Sequence, residues 1–132
     1  MKIIVIEGTD NTGKDTLING LRGHYADKKI KVIHCQGPKE TNNFFASVEQ
    51  DSKFIQYAKD IVNGKYNCDI LIFNRSWYGE SVYGPIYRGR NINDTLKLNA
   101  NIEQLLINCD ITFIQLMSNN INLLIKNDDN KS

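Results

Sequence analysis

Lys2-Ile-Ile-Val-Ile-Glu7, followed at once by Gly8-Thr9-Asp10-Asn11-Thr12-Gly13-Lys14-Asp15-Thr16, is the stretch that decides the fold. Ile3 to Ile6 form an unbroken apolar run, the pattern of a strand covered on both faces in a parallel sheet. A turn of small residues, Gly8 to Gly13, follows. A helical pattern then runs from about Lys14 to Tyr25, with Leu17 and Leu21 four apart on one face. A glycine loop of this spacing between strand and helix is a phosphate cradle. Gly8 and Gly13 permit the tight path, the loop N–H groups can point inward, and the helix start adds partial positive charge. Lys14 supplies a point charge to the same phosphates.

The residue after the lysine in such loops is usually Ser or Thr, whose hydroxyl holds magnesium. Here it is Asp15, followed by Thr16. A carboxylate is a hard oxygen ligand suited to Mg2+, whereas Thr16 faces about 100° further around the helix. The loop therefore predicts ATP and Mg2+ as cofactors, held by Gly8, Asn11, Thr12, Gly13, Lys14, Asp15 and Thr16, with the metal at Asp15 or Thr16. The competing reading is a glycine-rich turn with a helix-capping aspartate.

Outward from the loop, apolar runs alternate with helical patterns, which predicts βαβ units and a parallel sheet. Lys31 to Cys35 reads as a second strand, ended by Gly37-Pro38. Asn43 to Val62 reads as helix, with a break near Asp51-Ser52 and with Ile55, Ala58 and Val62 on one side; Asn63-Gly64 stops it. Residues 68 to 73 and 109 to 114 read as strands, each entered by Cys-Asp. Between them Leu98, Ile102, Leu105 and Leu106 share a helical face. The expected fold is one three-layer α/β/α domain over residues 1–132, with about four strands and the first one central. Asn127 to Ser132 reads as the start of a loop.

The 132 residues suffice for a single core, and a net charge of +1 creates no global field toward nucleic acid or an anionic membrane. The apolar run at Ile3 to Ile6 is too short for a signal peptide or a membrane span, so a cytoplasmic address is expected. Cys35, Cys68 and Cys109 are widely separated and lack metal-site spacing; each reads as a small buried hydrophobe.

Glu7-Gly8-Thr9-Asp10 resembles the opening of thymidylate kinases, and Gly13-Lys14-Asp15-Thr16 is similar to the loop of some phage deoxynucleoside monophosphate kinases. A second match follows the third strand, at Phe73-Asn74-Arg75-Ser76 and then Val82-Tyr83-Gly84. Gly84-Pro85-Ile86-Tyr87-Arg88-Gly89 also looks like phage members of the group. The resemblance implies a P-loop nucleoside monophosphate kinase fold. It implies transfer of a phosphoryl group from ATP to a deoxynucleoside monophosphate, dTMP foremost, and a homodimer. Carried over by position, it implies that Asp10 orients the acceptor, Arg75 grips the acceptor phosphate and Tyr83 lies under the deoxyribose. Phe54 or Phe44 would stack on the base, Phe54 being favoured. Arg88 and Arg90 are the candidates for extra phosphate contacts, and Lys59 and Lys65 read as solvated.

Two departures from the family pattern matter. Asn74 stands where the family has an aspartate that supports magnesium; an amide still coordinates but brings no charge, and Asp15 would restore it. Family members also continue past Asp128 into a lid, which Leu123-Leu124-Ile125-Lys126 approaches, so the chain reads as C-terminally short of the family. A deoxynucleoside kinase and a nucleotide-binding protein without turnover are the competing functions. The first would want Glu where Asn74 stands; the second is favoured by Asn74 and the missing lid.

Overall fold

The computed structural model describes residues 1–8, 12–35 and 44–117, and of these the side chains of Phe44, Tyr83, Tyr87 and Arg88 stand outside the description. Among the described residues eight elements follow one another: β1 (Lys2–Glu7), α1 (Lys14–His24), β2 (Ile30–His34), α2 (Phe44–Val62), β3 (Ile70–Asn74), α3 (Trp77–Arg88), α4 (Ile92–Leu105) and β4 (Asp110–Gln115). The strands form one four-stranded sheet in the order β2-β3-β1-β4, with every pairing parallel. The first strand is interior, as its unbroken apolar run requires.

Alternation along β1 divides the core in two. Ile3 and Val5 join Ile33, Leu71 and Phe73 under α2, α4 and the start of α3, together with Phe54, Ala58, Ile61, Trp77, Leu98 and Ile102. Ile4 and Ile6 join Ile70 and Ile72 on the other face, covered by Ile18, Leu17 and Leu21 of α1. The result is the expected α/β/α stack. Ile3, Val5, Ile6, Leu71, Ile72 and Phe73 have no exposed surface at all, and each buried side chain of this size is worth about 1.5–3 kcal/mol.

Two helix readings change. α2 is continuous through Asp51-Ser52, and its buried stripe is Phe54, Ala58 and Ile61, while Val62 is 55% exposed. Both stripes have helical spacing; the position of the sheet selects the first. The segment around Tyr83 to Arg88, to which the sequence pattern assigns no element, is the C-terminal half of α3. Its Gly79, Gly84 and Pro85 disguise it, yet the ends are well defined. Ser76 caps the start by accepting from the Tyr78 N–H, and Gly89 (φ 64) closes the end by donating to Gly84 O. No helix among the described residues is long and apolar enough to cross a membrane.

The order β2-β3-β1-β4 has a functional consequence. After β1 the chain crosses β3 to reach β2; after β3 it crosses β1 to reach β4. Adjacent strands whose connections depart in opposite directions open a crevice outside their carboxyl ends, where ligands of such sheets bind. Glu7 and Asn74, the last residues of β1 and β3, sit on its two sides.

Candidate functional site at the β1–β3 crevice

Gly8 leaves β1 under close constraint. A Cβ there would meet Thr12 Oγ1 at 2.7 Å and Leu116 at 3.2 Å, so the loop and the end of β4 approach each other only because the residue is glycine. Gly13 adopts φ 88 and caps α1 with no side-chain hydrogen bond, the arrangement that leaves a helix start available to anions. Lys14 is 9% exposed and folds back to donate from Nζ to Gly8 O at 2.8 Å. The ammonium is thereby held across the loop. Asp10 and Asn11 lie outside the described residues, as does Thr9.

Across the crevice stand Asn74 and Arg75. The Asn74 amide nitrogen is 3.5 Å from Asp15 Oδ1 and 3.1 Å from His34 Nδ1. The carboxylate can only accept, which fixes the nitrogen on that side. Asn74 Oδ1 is left buried with no partner among the described residues. With its nitrogen toward Asp15, the amide turns its oxygen away from the carboxylate. Asp15 alone, or Asp15 joined by the amide oxygen once the amide turns over, supplies the one or two protein oxygens that Mg2+ takes, with water and phosphate completing its shell. Thr16 is exposed on the same turn of α1 and bonds to neither residue. Two of the three expected metal-side residues are thus brought together. His34 was not anticipated; its place at the end of β2, beside β3, was the only signal for it.

Arg75 is half-buried and is the one non-glycine residue with positive φ (67°) among those described. Its N–H donates to Ile6 O at 2.8 Å. The next residue, Ser76, is 3% exposed and donates its hydroxyl to Glu7 Oε1 at 2.8 Å. Glu7, itself 5% exposed, also accepts from the Gly79 N–H at 3.3 Å. Burial pushes the Glu7 pKa above the ordinary 4.5; the Ser76 and Gly79 hydrogen bonds and the Arg75 charge pull it partly back. Cys35, at the end of β2, is pushed up to about 12 by burial and then by the Glu7 charge, which keeps its thiol protonated.

Three expectations are corrected or fall outside view. Phe54 is 2% exposed with its ring 6.5 Å from that of Trp77, so it belongs to the core and offers no open face to a base. Arg90 is committed elsewhere. It makes paired bonds to Asp51 (2.8 and 2.7 Å) and one to Glu80 (2.9 Å), tying α2 to α3. Those carboxylates, Asp51 first, hold the guanidinium pKa above its usual value. The side chains of Tyr83, Arg88 and Phe44 lie outside the description, although Tyr83 and Arg88 belong to α3.

A strand-to-helix loop ending in a buried lysine, with an arginine across the crevice, has the chemistry of a phosphate-handling site, and the family comparison points the same way. The model of the Polyphosphate kinase 2 (PPK2) family matches residues 1–117. This chain belongs to the PPK2 family. It is therefore a P-loop phosphotransferase domain, and the resemblance to thymidylate kinases holds at the level of P-loop kinases, because the family that matches is a different one. No curated protein matches the chain. The fold is similar to that of the YorR protein of Bacillus subtilis, solved in complex with phosphorylated GDP. The TM-score is 0.62 at 17% identity, over 99% of this chain and 67% of that one.

Proposed function

We propose that this chain is a nucleotide kinase that transfers the terminal phosphoryl group of ATP to a deoxynucleoside monophosphate, dTMP being the first candidate. The observation that carries the reading is that the loop leading to Lys14 follows β1 and that Arg75 directly follows β3, two adjacent parallel strands whose ends flank the crevice. A donor phosphate in the Gly8–Lys14 loop and an acceptor phosphate on Arg75 would face each other there. An acceptor oxygen then attacks the terminal phosphorus, the bond to the bridging oxygen breaks, and ADP leaves. Such a transfer depends chiefly on alignment and on neutralising charge.

Lys14 draws off charge on the donor side, and Arg75 holds the acceptor with a planar fork suited to two phosphate oxygens. Asp10 orients the acceptor, Tyr83 lies against the sugar, and Arg88 adds a phosphate contact; these roles rest on the sequence resemblance. When bound, Mg2+ neutralises phosphate charge; Asp15 would hold it, joined by Asn74 Oδ1 once that amide turns over. A second reading has a specific support. The family description names polyphosphate kinases, so an inorganic polyphosphate chain is the alternative phosphoryl donor.

One panel tests both: ATP and polyphosphate as donors, against each deoxynucleoside monophosphate and thymidine, with Mg2+. Turnover of a monophosphate with ATP is the expected result, reduced about 10²–10³-fold in Lys14→Ala, as for loss of one charge-stabilising donor. Turnover with polyphosphate alone would move the assignment to the second reading. Phosphorylation of thymidine alone would make the chain a nucleoside kinase. Silence throughout, with Lys14-dependent ATP binding, would leave a nucleotide-binding domain.

A further inference from the structure

Glu7 is the most unusual carboxylate at the crevice. It ends the central strand, is 5% exposed, and takes no place in the transfer described above. Among the described residues, both hydrogen bonds of its carboxylate go to a single short segment, Ser76 at 2.8 Å and the Gly79 N–H at 3.3 Å. Ser76 in turn accepts from the Tyr78 N–H at 3.2 Å. The start of α3 is therefore capped by two linked groups, one of them supplied by another element of the sheet. Space has been made for it: a Cβ on Gly79 would lie 3.2 Å from Glu7 Oε2.

The residue before this cap is Arg75, in the left-handed region at φ 67. A non-glycine residue there costs about 1–3 kcal/mol and persists only when its surroundings determine it. Two consecutive residues of β1 provide that determination. Ile6 O takes the Arg75 N–H, and the Glu7 carboxylate takes the Ser76 hydroxyl.

We propose that Glu7 is a positioning residue that pins the Arg75–Ser76 turn and so aims the Arg75 guanidinium at the acceptor phosphate. The proposal rests on the kinase reading for its consequence, but the pinning is a property of the fold. Hydrogen-bond acceptance is what the role requires, so glutamine can replace glutamate whereas alanine cannot. Burial raises the Glu7 pKa, which makes the neutral amide a mild replacement.

The experiment compares Glu7→Ala, Glu7→Gln, Arg75→Ala and the double variant Glu7→Ala/Arg75→Ala. With ATP and the preferred monophosphate, Glu7→Ala should raise the acceptor KM about tenfold and leave the ATP KM within about twofold, as a small misplacement of one positioning group would. Glu7→Gln should restore the acceptor KM. In the Arg75→Ala background, Glu7→Ala should raise it no further, because residues that act as a unit are not additive. An equal rise in both KM values, failure of glutamine to rescue, or full additivity would each overturn the proposal. Trp77, the single tryptophan of the chain and 1% exposed beside Ser76, supplies a readout that needs no turnover. If wild type is silent with every donor and acceptor, the kinase reading fails on its own. A shift of Trp77 emission in Glu7→Ala that reverts in Glu7→Gln would then still support the pinning, and an unshifted emission would overturn it.

Discussion

The two helices that begin at the crevice are both entered through a left-handed residue, and the two residues are opposite in kind. α1 is entered through Gly13 at φ 88, which has open space around it and no side-chain cap. α3 is entered through Arg75 at φ 67, followed by a Ser76 cap tied to a buried glutamate. On the first side the proposed binding surface is the backbone itself, which calls for a residue without a side chain and a helix start left open. On the second side the side chain is the binding group in the proposed mechanism. The chain there accepts backbone strain to place an arginine and satisfies the helix start internally. A loop that binds through N–H groups is cheap to build and contiguous in sequence. A guanidinium held at a fixed angle needs support from a distant strand.

The largest effect bears on what holds α3 at its far end. Arg90 is 11% exposed in its side chain and bonds Glu80, which is 3% exposed, as well as Asp51. Arg90→Met removes the paired bonds to Asp51 and the bond to Glu80 and should destabilise the fold by about 1.5–3 kcal/mol, the range for hydrogen bonds between charged groups. Urea denaturation followed at Trp77 measures this. A loss below about 1 kcal/mol, the range of a surface pair, would show that α3 is held by its capped start instead.

A mirror pair of substitutions tests the comparison itself. Gly13→Ala puts a side chain where φ is 88 with nothing nearby to clash, so its cost is backbone strain alone, about 1–2 kcal/mol. Arg75→Gly removes strain of the same kind and should raise stability by about 1 kcal/mol, after the greater freedom of glycine in the unfolded chain is subtracted. The same variant should lose most acceptor affinity, and Arg75→Ala should lose affinity without the gain. Stability rising while function falls is the signature of a strained binding residue. If Arg75→Gly is destabilising, the left-handed turn is not a store of strain, and the contrast with Gly13 disappears.

The two sides also differ in how far they could be read from the sequence. Gly8, Gly13 and Lys14 lie within seven consecutive residues, and strand-loop-helix context is local, so the phosphate side was legible with its strand and its helix. Arg75 was legible as a residue on a strand end. Its cap was not, because Ser76 and Glu7 are 69 positions apart and only the pairing of β1 with β3 brings them together. α3 itself was hidden by Gly79, Gly84 and Pro85, which argue for loop in any local window, while its stability comes from caps and from Arg90. Phe54 fits both a base-facing helix and a core stripe. The burial of Trp77 against it, which no spacing rule contains, places it in the core.

The smallest effect concerns the charge on Glu7. Its folded-state pKa is raised above 4.5, mainly by burial. Below 4.5 the group is protonated in both folded and unfolded chains and imposes no penalty. As pH rises from 4.5 toward the folded value, the unfolded chain releases the proton while the folded chain keeps it, and wild type loses stability relative to an uncharged residue. The difference in unfolding free energy between Glu7→Gln and wild type should therefore grow with pH from about 4.5 upward and become constant above the folded pKa. The amide hydrogens of glutamine add a cost of their own, but that cost does not titrate, and the groups common to both proteins cancel. The slope of the difference, not its absolute size, carries the result. A pH-independent difference would mean that Ser76, Gly79 and Arg75 fully compensate the buried charge, and the cap of α3 would then be electrostatically as inexpensive as the open start of α1.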